Sequence, residues 1–197
     1  MITHINGRLV EKNPTYVIIE CNGIGYFLNI SLTTYSKLPE DESCKLYTHF
    51  SVKEDAQTLY GFVDLAERNL FRHLISVSGV GPSTARMVLS SMDSAEIHNA
   101  ILTGNVGLIQ SVKGIGAKTA QRLILDLRDK LAKEDLDVES TISSLQIDNN
   151  SFTDALSALQ MLGFAKNVAE KAIGKVLKAE GNNLSVEQLI KLSLKNV

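Results

Sequence analysis

The chain has 197 residues, 44% hydrophobic and 21% charged, with 20 Lys/Arg against 22 Asp/Glu and a formal net charge of −2. This composition fits a soluble globular protein of one to three domains. It excludes a helical membrane protein, because no apolar run reaches the roughly 18 residues of a span, and the opening Met1-Ile2-Thr3-His4-Ile5 has no signal-peptide pattern. Cys21 and Cys44 have no metal-ligand spacing; without a secretory signal they read as reduced thiols of a cytoplasmic protein.

In chain order, residues 1–62 read as strands. Thr15 to Glu20 is β-branched and apolar, Asn22-Gly23 signals a turn, and Gly25 to Ile30 resumes the strand pattern. Leu46 to Val52 and Thr58 to Phe62 give two more strands around Lys53-Glu54-Asp55-Ala56. Short strands with close turns predict a small barrel. Gly23-Ile24-Gly25 mimics a phosphate loop, but it lies between strands and reads as a structural hairpin. At Asp64 the period changes. Asp64-Leu65-Ala66-Glu67 is a helix-start signature, and Leu70, Leu74 and Val77 follow at helical spacing. Helices continue to about Lys133. Residues 134–150 are acidic and Ser/Asn-rich and read as a flexible linker. A last unit of three helices occupies 151–197. Ala155, Leu156, Leu159 and Leu162 form the first apolar face, and Gly163 stops that helix. Ala169, Ile173, Val176 and Leu177 form the second face. Ser185 caps the third helix, with Leu189, Ile190 and Leu194 behind it.

Charge is unevenly spread. Residues 1–64 carry 5 Lys/Arg against 8 Asp/Glu, 65–133 carry 9 against 5, 134–150 carry 0 against 5, and 151–197 carry 6 against 4. Screening over about 10 Å at 0.1 M salt makes the local balance count for more than the total. The clearly basic segment is 65–133.

That segment contains a repeat. Residues 75–89 moved by 35 fall on 110–124, matching Ser76, Val77, Gly79, Gly81, Thr84 and Ala85 to Ser111, Val112, Gly114, Gly116, Thr119 and Ala120. Each copy is an apolar helix, a Gly-apolar-Gly hairpin and the start of a second helix. Glycine lets backbone approach a ligand closely. A helix N-terminus offers unpaired N–H groups and about half a positive charge. The pattern therefore predicts capture of DNA backbone phosphates without reading base edges. The apolar Val80 and Ile115 would pin each hairpin to its own helices. Candidate contacts are Gly79, Val80, Gly81, Ser83, Thr84 and Arg86 in the first copy, and Lys113, Gly114, Ile115, Gly116, Lys118, Thr119 and Arg122 in the second. Arg122 lies one turn beyond Lys118, so both can follow one phosphate run.

The alternative is a helix-hairpin-helix repair enzyme, a glycosylase or nuclease acting on duplex DNA. Lys118 and Asp126 would be its nominal catalytic groups, although Asp126 also has Arg122 and Lys130 at ion-pair spacing. The four histidines have no metal or triad spacing, and no GxxxxGK[ST] is present for ATP. Neither a metal nor any other cofactor is expected.

Thr48-His49-Phe50, Val52 to Gln57 and Leu59-Tyr60-Gly61-Phe62 carry a more specific pattern. It continues in Gly79-Val80-Gly81-Pro82, Gly114-Ile115-Gly116, Lys118-Thr119-Ala120 and Arg122-Leu123-Ile124, with Glu11-Lys12 and Gly23 to Tyr26 near the start. Over its whole length the chain resembles the RuvA family of Holliday junction branch migration subunits. The resemblance implies an α+β multidomain fold. An OB-fold barrel over 1–63 would tetramerise at the junction centre. A tandem helix-hairpin-helix domain would follow over 64–133, the linker over 134–150, and a three-helix UBA-like domain over 151–197. It implies a non-catalytic homotetramer, one or two per junction, that holds a four-way junction open and square-planar. Glu54 and Asp55 would be an acidic pin repelling phosphates at the crossover. The C-terminal domain would bind the RuvB hexameric ATPase through Leu159, Met161, Leu162 and Phe164, and the RuvC resolvase would cut the junction. Ser83 and Ala117 stand where family members often carry Lys, which shifts weight to backbone N–H groups, Lys118 and Arg122.

Overall fold

The computed structural model describes residues 1–40, 42–143, 150–181 and 184–196, and only the backbone of 133–143 and 150. It divides into two compact units, Met1–Asp135 and Leu136–Val197.

The first unit opens with five strands: β1 (His4–Asn13), β2 (Tyr16–Cys21), β3 (Ile24–Asn29), β4 (Ser43–Val52) and β5 (Gln57–Phe62). They close into a barrel in the order β1-β2-β3-β5-β4, with β3 and β5 parallel and the other neighbours antiparallel. Closure removes the unpaired edges that a small open sheet would expose. Alternation along the strands sends Ile5, Val17, Ile19, Leu28, Cys44 and Leu46 into the barrel core. Asn22 and Gly23 both take positive φ, 51° and 81°, so the turn expected at this position is a tight structural one. Between β3 and β4 lies a short helix that the strand reading of 1–62 missed, α1 (Leu32–Ser36), capped by Ser31.

Five helical elements follow: α2 (Leu65–Ser76), α3 (Pro82–Ser91), α4 (Ser94–Leu102), α5 (Val106–Gln110) and α6 (Ala117–Ser143). Asp64 caps α2 by accepting from the Glu67 N–H at 2.7 Å. Asp93 and Glu96 form a reciprocal capping box on α4. One apolar core joins all five elements and includes Leu70, Phe71, Leu74, Ile97, Ile109 and Leu127. Phe71 packs against the barrel: its ring centroid lies 5.1 Å from Tyr60, 5.0 Å from Phe62 and 5.3 Å from His49. Burial pushes the His49 imidazole below its ordinary value, with Arg72 adding in the same direction.

Of the stretch expected as a linker over 134–150, the first part is helical. Helix α6 continues unbroken to Ser143, while 144–149 lie outside the described residues. The acidic composition that suggested a linker is also rich in helix formers, and no Gly or Pro occurs between Ala117 and Ser143 to stop propagation.

The second unit has α7 (Asn150–Met161), α8 (Lys166–Glu180) and α9 (Val186–Ser193) around a core of Ala155, Leu159, Ala169, Ile173, Val176 and Leu189. Gly163 ends α7 at φ +97°, and the Phe164 N–H donates back to the Leu159 carbonyl at 3.1 Å. The capping box of Ser185 and Gln188 on α9 is formed. Two inward assignments are corrected. Leu162 lies past the end of α7 and Leu194 past the end of α9, and both are exposed; Ser193 takes the buried position instead.

Candidate nucleic-acid interface

Each hairpin grows from the same local rules. Helix α2 ends at Ser76. The Val77 N–H turns back to the Leu74 carbonyl at 3.2 Å, and the Val80 N–H to the Val77 carbonyl at 3.0 Å. Gly79 takes φ +93°, which an L side chain resists by about 1–2 kcal/mol. Gly81 then stands as the extended N-cap of α3 with no side-chain cap, and its carbonyl accepts the first helical bond from Ala85 at 2.9 Å. The second copy repeats these bonds in order. The Val112 and Ile115 N–H groups turn back to Ile109 and Val112 at 3.4 and 3.1 Å, and Gly114 takes φ +94°. The Ala120 N–H reaches the Gly116 carbonyl at 2.9 Å. Val80 and Ile115 are buried in the helical core, so each hairpin is pinned by the apolar residue between its glycines. The glycines themselves are exposed, and a Cβ added at any of the four would meet open space.

The result is two exposed backbone loops, each feeding a helix N-terminus. At α3 the missing side-chain cap leaves first-turn N–H groups free for an external acceptor. Pro82 removes one donor from that turn, whereas Ala117 keeps its N–H at the matching position of α6.

The structure brings the copies closer together than the sequence alone suggests. Ser78 and Gly79 of the first hairpin line one groove with Lys118, Thr119, Gln121, Arg122 and Leu125 of α6. Sequence spacing assigns Lys118 and Arg122 to the second hairpin; in three dimensions they also border the first. Ser78, Gln121 and Leu125 were not among the expected contacts, because only the packing of α6 places them there. Lys113, Ser83, Lys118 and Arg122 are exposed, and Thr84 and Thr119 are half-buried.

Arg86 is not brought to this groove. Its Nη1 donates to the Asn29 Oδ1 at 2.8 Å and to the Thr15 carbonyl at 3.2 Å, both on the barrel. Position 86 faces the barrel, whereas Gln121, its repeat counterpart, faces the groove.

Glu54 and Asp55 sit at the exposed tip between β4 and β5, in a turn closed by the Lys53 N–H to the Ala56 carbonyl at 2.8 Å. Neither carboxylate has an ion pair among the described residues. In the second unit the four apolar residues grouped by sequence separate. Leu159 is fully buried in the core and cannot face a partner, Phe164 is half-buried, and Met161 and Leu162 are 88% and 61% exposed. Among the described residues no cluster of His, Cys, Asp or Glu could hold a metal, and no helix is long and apolar enough to cross a membrane.

Known proteins match this arrangement along the whole chain. The family described as "RuvA N terminal domain" matches residues 1–61, "SAM-like Helix-hairpin-helix tandem" matches 71–129, and "RuvA, C-terminal domain" matches 150–197. Full-length relatives are each named Holliday junction branch migration complex subunit RuvA. The one from Christiangramia forsetii is 54% identical with all of both chains covered. The one from Flavobacterium psychrophilum is 51% identical with the same coverage, and that from Cytophaga hutchinsonii is 48% identical over 99% of each chain. These matches do not favour the repair-enzyme alternative and agree with a non-catalytic subunit. A closed five-stranded barrel, a duplicated glycine hairpin and a three-helix unit, each matched in order by these families and together by full-length relatives, place the chain in the RuvA family of Holliday junction branch migration complex subunits.

Proposed function

We propose that the chain holds four-way junction DNA through its phosphate backbone, recognising strand geometry and not base sequence, and serves as the DNA-binding subunit of a branch migration complex with the RuvB motor. The observation that carries the reading is the close duplication of hairpin geometry, with Gly79 and Gly114 at φ +93° and +94° before two helix N-termini, and a groove in which the first hairpin meets Lys118 and Arg122. Two such loops hold two phosphates of one duplex arm. Lys118 and Arg122 add charge to the same run, Lys113 supplies a further cation at the second hairpin, and the half-buried Thr84 and Thr119 offer hydroxyls beside it.

The chain works as a homotetramer that keeps the junction open and square-planar, its barrels meeting at the centre. There the exposed Glu54-Asp55 turn repels phosphates at the crossover and favours separated strands. The exposed Met161 and Leu162, with Phe164 beside them, form the contact for RuvB, whose ATPase drives movement of the arms. RuvC acts on the held junction, and the protein works in the cytoplasm.

The test is binding of the full chain to four-way junctions of two unrelated sequences and to linear duplexes built from the same strands. Both junctions should bind alike and more tightly than either duplex, with no strand cleaved and no base released. Equal affinity for junction and duplex, or cleavage without added RuvB or RuvC, would overturn the reading.

A further inference from the structure

Arg86 stands in a basic segment one turn into α3, yet its guanidinium turns away from the groove and into the barrel. The bonds around it form a continuous path. Asn29 accepts from Arg86 at 2.8 Å through Oδ1, and its own Nδ2 donates to the Leu59 carbonyl at 3.5 Å. Leu59 belongs to β5, the strand that leaves the Glu54-Asp55 turn, and β5 pairs with β3 at Leu28 and Asn29. At its other end, Arg86 is part of α3, whose N-terminus is the first hairpin. The same helix is tied to the barrel side again further along: the Leu32 N–H donates to the Ser90 Oγ at 3.0 Å, and the Thr33 Oγ1 to the Leu89 carbonyl at 2.6 Å.

From this path we propose that Arg86 is a positioning residue, and not a phosphate contact: with Asn29 it fixes the first hairpin relative to the acidic turn, and so sets the preference for a junction over a linear duplex. The inference rests on the junction-holding reading above. A linear duplex needs only the hairpins. A four-way junction needs hairpins and acidic turn at a fixed separation, so loosening the link between them penalises the junction selectively. The bond from Arg86 to Asn29 is charge-assisted and half-buried, which makes it a strong member of the path.

The experiment compares full-length wild type, Arg86→Ala, Asn29→Ala and Arg86→Lys for affinity to a four-way junction and to a linear duplex across a salt series, with thermal melting alongside. Asn29 lies on the barrel, so its variant tests the link without altering the charge of α3. For Arg86→Ala and Asn29→Ala the junction preference is expected to fall by roughly 2- to 30-fold, the range for substitutions that act on coupling between two sites. Duplex affinity and the salt slope should stay at wild-type values, and Arg86→Lys should restore part of the preference. A slope reduced by about 0.9 in Arg86→Ala alone would make Arg86 a direct phosphate contact and overturn the proposal. An unchanged junction preference in variants that melt like wild type would overturn it equally. If wild type itself shows no junction preference, the failure belongs to the proposed function.

Discussion

The Glu67 carboxylate is fully buried and accepts from the Ser31 Oγ at 2.5 Å and the Thr34 Oγ1 at 2.7 Å, joining α2 to α1. Burial is the main cause that raises the Glu67 pKa, opposed by the hydroxyl bonds. A carboxyl raised on folding binds more protons in the native state, so its contribution is fully present below the ordinary value near 4.5 and is lost as pH rises through the folded value. Glu67→Gln keeps the hydrogen-bonding shape without the charge. It should be more stable than wild type at neutral pH, with the difference shrinking as pH falls toward 4.5 in denaturant titrations; a constant difference would show that Glu67 is not the titrating group. Residue spacing suggests a different role for this side chain. Asp64-Leu65-Ala66-Glu67 has the pattern of a reciprocal capping box, but only Asp64 serves the helix end, and no local pattern reveals partners more than thirty positions away. Gly81 and Gly116 test the interface at the same scale. A Cβ there meets no protein atom within 4 Å, and neither residue has positive φ. Gly81→Ala with Gly116→Ala should therefore shift stability by no more than about 1 kcal/mol, the scale of a helix cap. It should still weaken junction binding, because in the proposed clamp each methyl would stand where a phosphate approaches. Unchanged binding would move the phosphates elsewhere.

Elements were legible wherever period and punctuation agreed. The repeat exposed both hairpins because identical residues at a spacing of 35 require the same local geometry, and Gly79 and Gly114 adopt it within a degree. The four strands read from β-branched runs and the Gly163 stop also stand in the structure. Helix α1 was not legible, since five residues give no period, and it is set by the Ser31 cap and its bonds to α2 and α3. The direction of Arg86 was also hidden, because repeat alignment compares residues and not the surfaces they face. The groove shared by Ser78, Gly79, Lys118 and Arg122 depends on how α6 packs; Gly79, Lys118 and Arg122 were legible as candidates, but their meeting was not.

On the proposed function, the whole molecule separates DNA holding from motor contact. Among the described residues, the barrel and helical cores draw on positions before 132, and the last three helices have a core of their own. Removing residues 150–197 should thus leave junction affinity within about twofold of wild type, an energy change of about 0.4 kcal/mol, while abolishing stimulation of RuvB ATPase. Loss of junction binding in the truncated chain would refute that division. The uneven charge fits that proposal: a basic 65–133 segment and an acidic 1–64 segment would suit a protein that grips DNA at its arms and repels it at its centre.

The claim that the hairpins and the start of α6 hold phosphates is tested most directly by the salt dependence of junction binding in the wild type and in the Lys118→Ala, Arg122→Ala double variant. Each phosphate that the variant no longer neutralises should lower the log–log slope by about 0.9, with duplex and junction affected together. A slope equal to that of wild type would contradict the proposed phosphate clamp.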